Sequence, residues 1–517
     1  MQIFPIETCI FLSTSPKCYM NYQNRRYCRL NPMFLTNYFV YMNKNAYLCG
    51  RFPENKERFW KYFLDFGVNL LSMARKELFK SLIALNQAEL PFERIERETM
   101  LPEKPELIIT VPGVRRAGKS SLLMLAVNKL LASGVKREQI LWVNFDDERI
   151  VGMPTEELDE VLQAYREMYP EMNLKDVYMF FDEIQNVAGW DLFVLRVFKS
   201  YCEHVYVTGS NAKLLSSEIS TALRGWTLDY EILPLSFREL CRFKGIDADS
   251  HLESDKARRY AAMEEYIYGG AFPKVVLTSD KSLKLRLLQG YFNTMLFRDL
   301  VERHKIKNIE ALRYFLKRVM LNLTKTTSIN AIVNDMRSSG VTVSKDDLYD
   351  WADWAVEAYM FVRYPKYSAS LVKENQSLRK YYMIDTGMRQ AVLMPQSEDK
   401  GKLLENIVAL ELFRRRGADK KIFYWQDGHE CDFVVQQGER VEEVIQVTWD
   451  MEDEDTLRRE IDGAKEAARA TRCDKLTIVT RDSKETIEED GFRIEVVGIE
   501  EWLTSSYHYP PNQINVC

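Results

Sequence analysis

Gly113-Val114-Arg115-Arg116-Ala117-Gly118-Lys119-Ser120 has the spacing G-x-x-x-x-G-K-[ST], and each fixed residue type in it has a chemical task. The two glycines let backbone N–H groups close around a phosphate, and a lysine just after the second reaches the terminal phosphates. Ser120 supplies the hydroxyl that ligates Mg²⁺ in such a loop, and Ser121 opens a helix whose N-terminal dipole favours an anion. The spacing predicts a site for ATP and Mg²⁺ over Gly113–Ser121. A second apolar run, Val177 to Phe181, ends in Asp182-Glu183. There Asp182 is expected to hold Mg²⁺ through water, and Glu183 to orient and deprotonate the attacking water. A third run, Val205 to Thr208, leads into Gly209-Ser210-Asn211, a polar tip able to touch a γ-phosphate.

These residues need strands to carry them. Leu107–Val111 is continuously apolar and β-branched, as expected of a parallel strand buried on both faces. Ser121–Ala132 reads as a helix, Ile140–Phe145 as a strand and Thr155–Tyr169 as a helix. The alternation predicts an α/β fold with a parallel sheet.

The segments GVRRAGKS, VYMFFDEIQ, VYVTGSNAKLL and LRGW…LPLSFREL together resemble the prokaryotic AAA-superfamily ATP-binding proteins that carry a C-terminal domain of unknown function. The resemblance runs from about Lys76 to about Val497. It implies a P-loop NTPase core with an additional strand, a nucleotide-dependent conformational cycle, and Ser210 or Asn211 as the sensor. It also implies that Arg224 is a finger for a neighbouring nucleotide. Trp226 departs from the L-R-G-R pattern often found in that family, which weakens the case for catalysis across subunits. Arg238–Lys244 begins a helical lid, and Tyr268-Gly269-Gly270-Ala271-Phe272-Pro273 resembles the lid motif near the adenine.

Composition excludes several other classes. Lys+Arg 71 against Asp+Glu 76 gives a net charge of -5, unlike a protein that coats nucleic acid. No run of 18 apolar residues exists, so no membrane span is expected. Nine scattered cysteines without a C-x-x-C pair suggest free thiols rather than zinc or redox chemistry. With no signal-peptide layout at the N-terminus, a cytoplasmic protein is expected. Residues 1–72 differ from the rest, with 16 aromatics against 46 in the remaining 445 residues. They read either as a poorly ordered extension or as foreign to a native chain that begins at Met73.

Beyond the lid, helices at Ala311–Lys325, Ser328–Ser338 and Ser344–Ala358 suggest a winged-helix-like domain. Lys305–Lys345 holds eight basic and two acidic residues, which invites DNA. The third helix, where a recognition helix would lie, holds five acids between Asp346 and Glu357 and no base. It could not pass between two phosphate backbones, so protein contact is favoured over DNA. The Trp351/Trp354 pair reads as core or as interface. A helix at Lys402–Arg416, strands at Lys421–Trp425, Cys431–Val435 and Val441–Thr448, a helix at Thr456–Arg472 and strands at Lys475–Val479 and Phe492–Val497 resemble the restriction-endonuclease-like fold. On that outline Glu405 and Asp432 are retained acids, whereas Gln446 and Thr448 stand where an acid and a lysine are needed. Asp450–Asp455 adds further negative charge, and Lys420 and Lys421 are the nearest basic replacements. Glu405 and Asp432 then read as a relic or structural pair.

The expected organisation is an extension (1–72), a P-loop ATPase core (73–240), a helical lid (241–304), a winged-helix-like domain (305–390), a nuclease-like α/β domain (391–505) and a tail (506–517). The expected function is an ATP-hydrolysing switch acting on a protein partner or on itself. The alternatives are an ATP-gated DNA nuclease and an ATP-binding module without turnover.

Overall fold

The computed structural model describes residues 75–209, 223, 225–394, 399–452 and 454–505. The expected extension 1–72, Ser210, Asn211, Arg224, Asp453 and the tail 506–517 lie outside them. Residues 79–88 are helical, and the strands that follow form a parallel sheet. β1 (Ile108–Pro112) is buried at every residue, as its apolar sequence requires. Helix α1 (Lys119–Ala132) follows, then β2 (Ile140–Asn144), α2 (Asp159–Met168), β3 (Tyr178–Asp182), α3 (Trp190–Ser200), β4 (His204–Gly209) and β5 (Thr227–Asp229). The strand order is β2-β3-β4-β1-β5, all parallel. β1 therefore lies between β4 and β5, and β3 beside β4. This order brings the C-terminal ends of β1, β3 and β4 side by side, the edge at which α/β sheets place ligands.

The lid starts with α4 (Phe237–Phe243), held by a capping box in which Ser236 and Glu239 exchange bonds with each other's backbone N–H. α5 (Glu253–Gly269) and α6 (Lys281–Thr294) follow, and α6 runs on as a π-helical stretch, Met295–Glu302. Next come α7 (Ile309–Leu321), the short β6 (Thr326–Thr327), α8 (Ile329–Ser338) and α9 (Lys345–Glu357). Ser328 and Ser344 cap the second and third helices at the predicted starts, whereas Asn308 caps the first, which begins at Ile309 and not at the expected Ala311. α7 stops at Leu321 rather than Lys325, because Thr324 is left-handed (φ 68°) and the chain turns into β6. β7 (Phe361–Pro365) and β8 (Arg379–Met383), which the sequence pattern did not reveal, join β6 in an antiparallel sheet of order β6-β8-β7. Trp351 and Trp354 both face inwards. Trp351 is buried beside Phe315, and Trp354 stacks on His304 at 3.8 Å between centroids.

After α10 (Thr386–Leu393), helix α11 (Lys400–Arg415) leads to β9 (Lys420–Asp427), β10 (His429–Gln437), β11 (Arg440–Val447), α12 (Glu454–Thr471), β12 (Leu476–Thr480), β13 (Glu485–Glu489), β14 (Phe492–Gly498) and α13 (Ile499–Thr504). The sheet order is β13-β14-β12-β11-β10-β9, with β11, β12 and β14 parallel. β13 was not expected: its sequence, Glu-Thr-Ile-Glu-Glu, is mostly acidic, and it is held at the sheet edge by pairing with β14, by Ile487 packing on the core and by the Glu489–Lys465 pair at 2.8 Å.

The described residues from Phe79 onwards form one compact unit, and one apolar core runs from Leu90 to Leu503. Buried polar contacts tie its parts together. Arg414 of α11 donates to the carbonyls of Pro234 and Leu235, Arg416 pairs with Glu231 at 2.7 Å, and Tyr359 donates to the same Glu231 at 2.8 Å. Among the described residues no helix is long and apolar enough to cross a membrane.

Candidate functional site

The loop from Gly113 to Ser120 leaves β1 and enters α1 with glycines where the backbone demands them. A Cβ on Gly113 would lie 2.1 Å from the carbonyl oxygen of Ile232, and Gly118 adopts φ 102°. Arg97 clamps the loop from outside. Its buried guanidinium donates to Ala117 O at 2.7 Å, to Leu233 O at 3.0 Å and to Glu239 at 2.6 Å. Pro273 of the lid motif sits against Gly118. The glycines of that motif serve a different contact. A Cβ on Gly270 would lie 2.3 Å from Asp385, which accepts from Ala271 N at 2.6 Å.

Lys119, only 4 % exposed, reaches back over the loop towards the carbonyls of Gly113 and Val114, both at 3.4 Å, and Glu183 at 3.7 Å. Burial pushes its ammonium below the usual lysine range, with Glu183 opposing. Asp182 ends β3 and is buried. Burial raises its carboxyl to about 6, against hydrogen bonds from the hydroxyls of Thr208 and Ser120. Glu183 follows in the left-handed region, φ 51°, and accepts from Gln185 at 2.6 Å. A non-glycine residue held there is strained, which is common where a side chain must be aimed. The structure thus brings Lys119, Ser120, Asp182 and Glu183 together at one sheet edge.

Arg115, expected only as a loop residue, makes a two-point contact with Asp299 on the π-helical stretch, at 2.9 and 3.3 Å. Neither Arg97 nor Asp299 was found from the sequence; a buried arginine or acid far along the chain carries no local pattern. A cleft of about 460 Å³ shares Arg97 with the loop and is also lined by Glu98, Lys129, Tyr230 and Arg414. No residue of Gly113–Ser120 lines it, so it adjoins the phosphate loop without being part of it.

The C-terminal acids also meet. Glu405 on α11 and Asp432 on β10 both contact Lys380 Nζ, each at 3.1 Å, and Glu430 contacts it at 2.5 Å. Gln446 accepts from Asp432 N at 3.0 Å and donates to Glu460. Thr448 lies past the end of β11 and donates to Asp450 O. The lysine in this cluster is therefore Lys380 of β8, and not Lys420 or Lys421. Lys420 pairs outwards with Glu442 at 2.6 Å, and Lys421 is exposed. These acids do not fit Mg²⁺ as they stand, because an ammonium lies among them. Among the described residues no group of three or more His, Cys, Asp and Glu is placed to hold a metal ion.

The parallel sheet and its loop define an AAA-type P-loop domain, and residues 105–241 match the family described as "AAA domain". Residues 260–399 and 400–502 match two families described as domains of unknown function, DUF8612 and DUF4143. The chain is 33% identical over 444 residues to the uncharacterized protein MJ1544 of Methanocaldococcus jannaschii, covering 83% of this chain and 96% of that one. It belongs to the same family. An uncharacterized protein of Haemophilus influenzae is 29% identical over 401 residues, covering 77% and 94%. Among solved structures, AMPPCP-bound DnaA from Aquifex aeolicus is 12% identical over 50% of this chain and 83% of its own, with a TM-score of 0.24. That similarity is too loose to bear on function.

Proposed function

We propose that the chain binds ATP with Mg²⁺, hydrolyses it, and passes the change of state to a protein partner or to a second copy of itself. The observation that carries this reading is the convergence of Lys119, Ser120, Asp182 and Glu183 at the ends of β1 and β3. Lys119 would bind the terminal phosphates, and Ser120 and Asp182 would hold the metal. Mg²⁺, when bound, would neutralise charge developing on the phosphoryl oxygens. Glu183 would orient the attacking water and take its proton. Three capped helices and a small antiparallel sheet, with β6 between the first two helices and β7 and β8 after the third, support a winged-helix-like middle domain. The outer face of α9 exposes Asp346, Asp347, Asp350, Asp353 and Glu357, which favours a protein partner over DNA. The α11, β9–β11, α12, β12 order supports a nuclease-like outline in which Lys380 supplies the lysine that Thr448 lacks, while Gln446 and the direct pairing of that lysine with Glu405 and Asp432 argue against cleavage.

The test is phosphate release by the purified full chain with ATP and Mg²⁺, set beside Glu183→Gln. Turnover lost in the variant with binding kept supports the reading; turnover equal in both overturns it. The nuclease reading draws on the proximity of Glu405 and Asp432. DNA cleavage with Mg²⁺ or Mn²⁺ that disappears in Asp432→Ala would establish it.

A further inference from the structure

Lys380 is fully buried, with a side chain 0 % exposed. An ammonium has three N–H donors, and here three carboxylates take them: Glu405, Asp432 and Glu430. The acceptors are fixed in turn. Tyr382 donates to the same Glu405 oxygen at 2.9 Å, and the second oxygen of Asp432 accepts from Val447 N at 3.1 Å. The ring of Tyr424 lies 5.7 Å from Nζ. The strand that delivers the lysine is also fixed. Asn406, beside Glu405 on α11, accepts from Met383 N at 2.7 Å and donates to Met383 O at 2.8 Å. This pins β8 to α11, so Lys380 cannot leave without breaking that register.

Glu405 and Asp432, both buried and packed this closely with the exposed Glu430, need a compensating cation. Nature supplies one either as a divalent ion, which asks for six or more oxygens, or as a lysine, which is a compact point charge with three donors. We propose that Lys380 stands in the place of a divalent metal ion: the carboxylate cluster is a cation site that the chain fills itself, and it takes up Mn²⁺ or Mg²⁺ only when that lysine is removed. The ion is covalently part of the chain and comes from a different segment than the acids. Lys380 lies within the match at 260–399, the acids within the match at 400–502. The site therefore joins two parts of the fold in place of performing chemistry, and it does so whether or not the chain hydrolyses ATP.

The test is a Mn²⁺ titration followed by electron paramagnetic resonance on the nucleotide-free full chain. Wild type, Asp432→Asn, Lys380→Ala and the double variant are compared. Wild type and Asp432→Asn should bind equal numbers of Mn²⁺, whereas Lys380→Ala should gain one Mn²⁺ per chain that the double variant loses. An Asp432-dependent Mn²⁺ site in wild type overturns the proposal, as does a folded Lys380→Ala chain that gains none. A Lys380→Ala chain that folds only with Mn²⁺ supports it. If that variant fails to fold under any condition, the wild-type pair decides alone, by the same criterion.

Discussion

Lys119 and Lys380 are both almost wholly buried beside carboxylates, and they are held in opposite ways. Lys119 makes only long contacts, 3.4 to 3.7 Å, and burial lowers the proton affinity of its amine. Lys380 makes three contacts of 3.1 Å or less. Burial works against its charge too, but Glu405, Tyr382, Asp432 and Glu430 outweigh it and hold the ammonium well above the usual range. Strong charge-assisted bonds fall near 2.7–2.9 Å, roughly, so Lys119 gains by turning to a phosphate whereas Lys380 would lose. Burial is nearly the same in both. What separates a cation poised for a ligand from one already satisfied is the number and length of its contacts.

Lys119→Ala should remove measurable ATP binding and all turnover, since no other side chain of the loop lies at the same place. Isothermal titration with ATP and Mg²⁺ checks it, and wild-type affinity in the variant would place the nucleotide elsewhere. Next is Glu183→Gln, which keeps size but cannot take a proton. Turnover should fall on the order of 10²–10⁴-fold with ATP affinity kept.

On the other side of the comparison, Lys380→Met should destabilise the fold by about 3–5 kcal/mol, because it strands buried carboxylates. A urea midpoint unchanged from wild type would mean that the acids are neutral without it. A subtler probe is Asp299→Asn. It removes an acid from beside the phosphate loop and releases Arg115, so ATP should bind roughly three- to tenfold tighter, the worth of one charge-assisted bond. Equal affinity would show that Arg115 does not reach the nucleotide.

The smallest effect concerns Asp385, whose carboxyl burial raises from 3.8 to about 6. A raised acid is favoured in its protonated form by the fold. Its contribution to stability is full below pH 4 and is lost as pH rises through about 6. Asp385→Asn should therefore flatten the fall in stability between pH 5 and 7 by about 1 kcal/mol. Urea midpoints at the two pH values measure it, and an unchanged slope would locate the titration elsewhere.

The candidate site was legible in the sequence where its residues are contiguous. The loop 113–120 and the Asp182-Glu183 pair are legible because a phosphate cradle must be made from consecutive backbone N–H groups and the acids must end a strand. The sequence was silent where a site is assembled across the fold. Lys380 lies 25 residues from Glu405 and 52 from Asp432, and Asp299 lies 184 from Arg115. β8 was invisible for a related reason: Arg-Lys-Tyr-Tyr-Met buries a lysine at its second position, which no alternation of polar and apolar residues anticipates. The acids of α9 were readable as charges, whereas the inward placement of Trp351 and Trp354 needed α7 and His304 to be in position.

Glu231 has a practical consequence. This buried acid just beyond β5 receives Tyr359 from one stretch and Arg416 from another. Cutting the gene after residue 240 or residue 399 to obtain a smaller ATPase would remove one or both donors and leave a carboxylate facing an opened apolar surface. Such fragments should aggregate on expression, and the three family matches along this chain then mark inherited modules that can no longer be bought apart.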